Sequence, residues 1–217
     1  MAFKIESLVV GPFMQNCRLI YDSQTREGIV TDPGDEASRI LALCAELRLS
    51  IRAIVLTHGH IDHAAAAHSL SQSLNCKVYG PLKEDAFLIE DLTRQARFFH
   101  LPAPEELGPE LNYLTADETF EPVRGLKLEV LSTPGHTPGS VCLYCEAESF
   151  VLVGDVLFLE SVGRTDFEQG SYSALENSIL EKLYTLPEDT AVLTGHGPDT
   201  TIGHELDYNP YVNRNTR

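Results

Sequence analysis

The sequence predicts an α/β protein in which two β-sheets pack together and helices cover the outside. Short apolar runs rich in β-branched residues alternate with segments whose apolar residues recur at helical spacing. This alternation occurs twice, once in each half of the 217-residue chain, and each half begins with strands that follow one another as in a meander. The length suits one domain, so we expect residues 1–217 to form a single domain.

Three strands are predicted before the first helix: "SLVVG", "CRLIY" and "EGIVTDPG". The last of them ends in a turn at Asp32-Pro33-Gly34. The pattern then predicts helix, strand, helix, short strand and helix, in "EASRILALCAELRL", "IRAIVLT", "HAAAAHSLSQSL", "KVYG" and "EDAFLIEDLTRQARFFH". Residues 101–108 are rich in proline and acidic side chains, which predicts a surface loop.

The second half predicts three strands, one helix and a final strand, in "LKLEVLST", "SVCLYCE", "SFVLVGD", "SALENSILEKLYTL" and "TAVLTGHG". One of these strands contains Cys142 and Cys145, a C-x-x-C pair. On a strand their side chains point to opposite faces, and there is no second pair to complete a zinc knuckle. We therefore favour reduced thiols in the core for the 5 cysteines over a redox or zinc pair.

Composition and charge exclude several classes of protein. With 43% hydrophobic and 22% charged residues the chain is neither disordered nor fibrous. The net charge of −16 repels phosphate backbones and anionic lipid, so we expect neither nucleic-acid nor membrane partners. No apolar run approaches the roughly 18 residues of a membrane span, and no signal peptide is evident. We expect a cytoplasmic location.

The densest cluster of polar side chains lies in "VLTHGHIDHAAAA", where three histidines and an aspartate fall within residues 58–63. Packing alone has no use for four such residues together. Three other strand-like runs also end in a polar residue, bringing His136, Asp155 and His196. Each of these three alone would be an ordinary turn residue. Because ligands gather beyond the carboxyl ends of strands, we expect all of these loops to share one edge.

The resulting donors are five imidazoles and two carboxylates, which suit zinc, iron or manganese. Seven ligands are too many for one tetrahedral ion, but two ions that share one carboxylate would use them all and leave room for water. Gly59 would let the backbone bend so that His58 and His60 converge on one ion, with Asp62 and His63 available to the other. The alanines that follow would let the next helix pack closely behind.

The motifs "THGHIDH", "TPGHTPGS", "GD" at 154–155 and "GHGP" at 195–198 resemble the ligand motifs of metallo-β-lactamase fold hydrolases. The resemblance covers nearly the whole chain and implies a four-layered αβ/βα sandwich with a binuclear site at one edge. By motif position it implies one ion held by His58, His60 and His136, a second held by Asp62, His63 and His196, and a bridge by Asp155.

Within this superfamily, "GRTDF" and "GHGPDTTIGHE" resemble short glyoxalase II-like hydrolases that lack the C-terminal helical domain. The resemblance implies a hydroxyacylglutathione hydrolase, which splits a small-molecule thioester such as S-lactoylglutathione into lactate and glutathione. A metal-bridging hydroxide would attack the carbonyl, and Asp62 would orient it. We expect two divalent ions, with zinc as first choice and iron or manganese as alternatives.

Two features leave both the recognition of glutathione and the type of reaction undecided. Arg164 stands near the place where the family has a lysine that binds glutathione, but an Arg164–Asp166 ion pair is the simpler interpretation. The alternative activity is that of a persulfide dioxygenase, since such enzymes share the fold and the stretch "GRTDFEQG". They use one iron, at positions corresponding to His58, His136 and Asp155. Pro138 and the glycines on either side of His196 favour the hydrolase.

Overall fold

The computed structural model describes residues 3–104 and 111–216. Within these residues the first half of the chain forms a six-stranded sheet, in the spatial order of its sequence. Its strands are Phe3–Val10 (β1), Gln15–Asp22 (β2), Glu27–Thr31 (β3), Ser50–Val55 (β4), Lys77–Tyr79 (β5) and Leu111–Asn112 (β6). The first three strands pair antiparallel, as the predicted meander requires, and the rest continue parallel to β3.

The second half forms another six-stranded sheet and a separate short hairpin. Its strands are Thr119–Val123 (β7), Leu126–Ser132 (β8), Val141–Cys145 (β9), Phe150–Gly154 (β10), the hairpin Leu157–Phe158 (β11) and Ser161–Val162 (β12), then Ala191–Thr194 (β13) and Thr200–Thr201 (β14). The strands β7 to β10 form an antiparallel meander, and β13 adds in parallel beside β10. β6, β7, β11, β12 and β14 were not predicted from the sequence.

Helices cover the outer faces of both sheets. They are Ala37–Glu46 (α1), Ile61–Ala64 (α2), Ala67–Leu74 (α3), Ala86–Ile89 (α4), Leu92–Phe98 (α5), Tyr172–Ser178 (α6) and Ile202–Tyr208 (α7), and α6 continues as a π-helix over Ile179–Leu183. Apolar side chains fill the space between the sheets and the space between each sheet and its helices. The predicted α/β sandwich, with its four layers, is confirmed.

Strand β8 shows how the sequence produces these layers. Leu126, Leu128 and Val130 alternate with Lys127 and Glu129, so that one face of the strand is apolar. The three apolar side chains are fully buried in the core between the sheets, and the two charged ones are exposed.

Two predicted helices are interrupted. The helix predicted over "HAAAAHSLSQSL" breaks between α2 and α3 because Ala66 donates its N–H to the carbonyl of Pro33, at 2.9 Å. The helix predicted over "EDAFLIEDLTRQARFFH" is divided into α4 and α5, and Gln95 donates its side-chain amide to the carbonyl of Leu88 near the break. In the predicted loop, residues 101–104 form neither helix nor strand, and residues 105–108 lie outside the described residues.

The cysteine prediction is confirmed. Cys142 packs in the outer core beside α6 and Cys145 in the core between the sheets, on opposite faces of β9. All five thiols are free, and only Cys76 is not fully buried. Among the described residues no helix is long and apolar enough to cross a lipid bilayer.

Candidate metal centre

The seven predicted ligands meet at one edge of the sandwich. They come from the loops after β4, β8, β10 and β13 and from the first turn of α2: His58, His60, Asp62, His63, His136, Asp155 and His196. In the second sheet β8, β10 and β13 run in the same direction, so their carboxyl ends, which bring His136, Asp155 and His196, lie at one edge of that sheet.

His58, His60 and His136, which we call the first trio, converge closely. The Nδ1 atom of His60 lies 3.1 Å from Nε2 of His58 and 2.9 Å from Nε2 of His136. Three imidazole nitrogens around a tetrahedral ion are separated by roughly 3.3 Å, given metal–nitrogen distances of about 2.0–2.1 Å. The first trio therefore has a spacing close to that of three ligands of one ion.

Asp62, His63 and His196 form the second trio. Nε2 of His196 lies 3.2 Å from Asp62 Oδ2 and 3.4 Å from Nε2 of His63. His63 is completely buried, whereas His196 and Asp62 are partly open to solvent. The second trio thus faces the outside more than the first.

Asp155 lies between the two trios. Its Oδ1 is 3.2 Å from Nε2 of His63, and its Oδ2 is 3.7 Å from Nε2 of His136 and 3.6 Å from that of His196. No described residue donates an aligned hydrogen bond to Oδ1, although this oxygen is buried. A buried carboxylate oxygen in this state is costly unless a cation neutralises it.

Hydrogen bonds on the outer side of the imidazole rings fix which nitrogen faces inward. Nδ1 of His136 donates to the carbonyl of Arg164 at 2.7 Å, and Nδ1 of His196 donates to the carbonyl of Phe13 at 3.0 Å. The neutral form of each ring with this tautomer presents an unprotonated Nε2 to the cluster, as a metal ligand must.

The pKa shifts differ between the trios. Burial, helped by neighbouring histidines, lowers the pKa of His58 strongly and that of His60 to about 3. For His63 burial acts in the same direction, but the carboxylates of Asp155, Asp32 and Asp62 outweigh it and raise the pKa. His58 and His60 are therefore deprotonated at neutral pH, whereas His63 must release a proton before it can bind a metal.

These observations fit a pair of divalent ions. The donors are imidazole nitrogens and carboxylate oxygens without thiolate, which suits zinc, iron or manganese. Two trios and an intervening carboxylate match the two-ion arrangement expected from the sequence, in which Asp155 bridges. The role of each residue as a ligand remains a prediction, and so does the identity of the metal.

Sequence reasoning missed residues that hold the ligands in place. Asp32 is buried and accepts hydrogen bonds from Thr57 N–H at 2.7 Å and from Thr57 O–H at 2.9 Å. Its Oδ2 also lies 3.3 Å from Nδ1 of His63. Asp32 follows a strand just as the predicted ligands do, and this signal was available in "IVTDPG".

A cleft of about 520 Å³ opens over the cluster. Metal-centre residues form its floor, and its walls include Phe13, Phe98, Phe99 and Phe167. Phe98 is 74% exposed and contacts Phe99, which in turn contacts Phe13, so the three rings form a contiguous exposed apolar patch of the kind found at ligand-binding sites. The cleft therefore offers apolar walls above a polar floor.

Arg164 lines this cleft, and it also makes the ion pair that the sequence had offered as the simpler interpretation. Its guanidinium donates to both carboxylate oxygens of Asp166, at 2.9 and 2.8 Å, and lies 4.5 Å from the centre of the Phe167 ring. The side chain is exposed, so the pair does not prevent contact with a ligand.

A sandwich of this topology with such a cluster at its edge defines a metallo-hydrolase fold. The family model of the metallo-beta-lactamase superfamily matches residues 10–196, and the chain belongs to this superfamily.

Three individual proteins illustrate the similarity within this superfamily. The chain is 40% identical over 209 residues to hydroxyacylglutathione hydrolase GloC of Haemophilus influenzae, covering 96% of this chain and 98% of that protein. The solved structure of TTHA1623 in a di-iron-bound form is 35% identical, with a TM-score of 0.86, and the match covers 95% of this chain and 100% of that one. ETHE1 from Myxococcus xanthus is 28% identical, with a TM-score of 0.77, over 97% of this chain and 84% of that one.

Proposed function

We propose that this protein is a metal-dependent thioester hydrolase of the hydroxyacylglutathione hydrolase type. The observation that carries the proposal is the pair of ligand trios on either side of Asp155, at the floor of an open cleft. The similarity to GloC supports the same class of substrate. We propose zinc as the resident metal, although the relative with two irons shows that this fold also accepts iron.

When bound, two divalent ions would supply a water of lowered pKa and polarise the substrate carbonyl. Asp62 belongs to the second trio, where its Oδ2 lies 3.2 Å from Nε2 of His196, and it also lines the cleft. Its carboxylate can accept a hydrogen bond from the attacking water and so fix the direction of attack. The leaving thiol has a pKa of about 8.5 and can depart as thiolate, so the site needs no separate general acid.

The walls of the cleft offer apolar and charged surroundings to different parts of a thioester substrate. The four phenylalanines would contact the apolar parts of the substrate. Among the described residues, Arg94 and Arg164 are the two cations that line the cleft, and Arg164 would meet a carboxylate as the lysine would in related enzymes, although it must share its guanidinium with Asp166. We propose a glutathione conjugate as substrate on this basis.

A small molecule is the partner that this surface favours. The 32 acidic residues against 16 basic ones oppose nucleic acid and anionic membranes. A small thioester with a net charge of about −1, such as a glutathione conjugate, would meet far less of this long-range repulsion than a polyanion does.

A persulfide dioxygenase is the second candidate, since ETHE1 shares the fold and the comparison spans most of both chains. Such an enzyme would need only His58, His136 and Asp155 for one iron. It would leave the second trio without a role, although His63 is buried against three carboxylates. The hydrolase uses both trios, so it is the function we prefer.

Metal content and two assays distinguish the candidates. The purified protein is analysed for metal, then assayed with S-lactoylglutathione and, in an oxygen electrode, with glutathione persulfide. Two ions per chain with thioester cleavage and no oxygen uptake are expected. One iron per chain with oxygen consumption would overturn the proposal.

The bridging role of Asp155 has its own test. Asp155→Ala should lower metal content and thioesterase activity together, because both trios lose a shared ligand. Asp189→Ala is the matched control, since Asp189 is exposed and precedes β13, whereas the ligand loop follows that strand. Full activity in Asp155→Ala would contradict the bridging role.

A further inference from the structure

We propose that Asp85 is a positioning residue for the first trio: its single buried carboxylate fixes the loop of His58 and His60 relative to the loop of His136. The inference rests on the metal centre of the proposed function but not on the choice of a thioester as substrate. Asp85 lies in a short 3-10 turn before α4 and is fully buried, although it is far in sequence from both loops.

The carboxylate of Asp85 bonds to both ligand loops at once. Oδ2 accepts the N–H of Gly59 at 2.9 Å and the hydroxyl of Thr137 at 2.7 Å. Oδ1 accepts the N–H of Gly139 at 2.6 Å. Gly59 stands between the two histidines of one loop, and Thr137 directly follows His136 in the other.

The glycines of both motifs pack against this turn. A Cβ atom at Gly139 would lie 2.5 Å from the backbone nitrogen of Asp85 and 2.7 Å from its carboxylate carbon. A Cβ atom at Gly59 would lie 2.7 Å from Cβ of Leu88 and 3.2 Å from the carbonyl oxygen of Asp85. The backbone of Gly59 is not left-handed, so glycine is required there for this close approach and not for the bend expected from the sequence.

An ionised carboxylate suits the surroundings of Asp85 better than an amide. Three donors point at its two oxygens, and a carboxylate can only accept. Burial raises the pKa of Asp85, and these three donors oppose the rise. In Asp85→Asn one side-chain oxygen becomes NH2, which must face at least one of the donors and leave it unpaired.

The second trio is held by other means. His63 lies beside Asp32, and the loop of His196 is held to β2, where Asn16 donates its N–H to Gly195 at 2.7 Å. Asp85 bonds to neither of these segments among the described contacts. Loss of Asp85 should therefore affect one ion much more than the other.

The experiment measures metal affinity rather than catalysis. Metal-free wild type, Asp85→Asn and Asp85→Ala are titrated with Zn²⁺ in competition with a chromophoric chelator, and Co²⁺ spectra report on the geometry of the sites. We expect both variants to keep one tight ion and to bind the other about ten- to a hundredfold more weakly. Folding is checked by circular dichroism.

Asp22→Asn is the matched control. Asp22 is also buried and accepts two backbone N–H groups, but it stands at the far end of β2, roughly 23 Å along the strand from Gln15, which pairs with His196. We expect Asp22→Asn to bind both ions as wild type does.

Two outcomes would overturn the inference: wild-type affinity for both ions in Asp85→Asn, or equal weakening of both. If the Asp85 variants do not fold, Thr137→Val provides the test, since it removes one of the three hydrogen bonds. Unchanged affinity in that variant would also refute the positioning role. If the wild-type protein binds two ions but does not cleave thioesters, the proposed substrate is refuted and this inference stands.

Discussion

Replacing Asp32 with asparagine tests whether Asp32 sets the tautomer of His63, and with it which ring nitrogen is free to bind metal in the second trio. The negative charge of the carboxylate favours a proton on Nδ1 of His63, which lies 3.3 Å away and is not aligned for a hydrogen bond, and this leaves Nε2 free to bind metal. In Asp32→Asn the amide oxygen can still accept the Thr57 N–H. Its NH2 group then faces Nδ1, and the ring is driven to the tautomer that carries its proton on Nε2.

The size of the effect follows from the contacts that change. A hydrogen bond to a charged group is worth about 1.5–3 kcal/mol and a neutral one about 0.5–1.5 kcal/mol, so the difference of about 1–1.5 kcal/mol is an upper bound for the unaligned contact of Asp32 with His63. Since about 1.4 kcal/mol corresponds to a tenfold change in affinity, the second trio should bind its ion up to about tenfold more weakly. The first trio has no histidine in direct contact with Asp32 among the described contacts, but the Thr57 hydroxyl that donates to Asp32 also lies 3.1 Å from Nδ1 of His58. A smaller effect on the first trio is therefore expected.

The measurement is the same Zn²⁺ competition titration, with Asp22→Asn as control and Asp85→Asn for comparison. Asp32→Asn should weaken mainly the ion of the second trio and Asp85→Asn mainly that of the first, and the double variant should weaken both strongly. If Asp32→Asn binds both ions as tightly as wild type, the tautomer argument is wrong.

Two further predictions concern pH and the cleft. In the metal-free protein the raised pKa of His63 contributes stability that is complete below pH about 6.5 and is lost as the pH rises through the folded-state pKa. The lowered pKa of His60, about 3, makes stability fall as the pH drops below about 6.5, because the unfolded chain then binds the extra proton. Urea unfolding should therefore show maximal stability near pH 6.5, and saturating metal should abolish the decline on the alkaline side; a flat metal-free profile would contradict these shifts. Phe98→Ala should raise the KM for thioesters severalfold with little change in the free energy of unfolding, because the side chain is 74% exposed. A wild-type KM would show that this wall does not contact the substrate.

The fold was predictable where one residue pattern determines one outcome. The alternation of Leu126, Lys127 and Leu128 fixes which face of β8 is buried, whatever packs against it. The helix breaks were not predictable, because they depend on distant partners. Ala66 is a good helix former, yet its N–H bonds to Pro33, a neighbour that only the folded chain provides.

In the candidate site, too, some residues were predictable from the sequence and others were not. His58, His60 and His63 stand out in the sequence because their density has no packing explanation. Asp85 does not stand out, since it occurs in "PLKEDAF" as one of two adjacent acidic residues. Only its burial against both ligand loops distinguishes it from Glu84, which is exposed.

Each trio draws its members from both halves of the chain. The first joins His60 to His136, 76 residues apart, and the second joins His63 to His196, 133 residues apart. An ion in either place is therefore a cross-link that closes a long loop, much as a disulfide does in secreted proteins. Removal of the ions by a chelator would then do more than stop a reaction: it would remove the cross-links between the two sheets at the edge where the cleft opens.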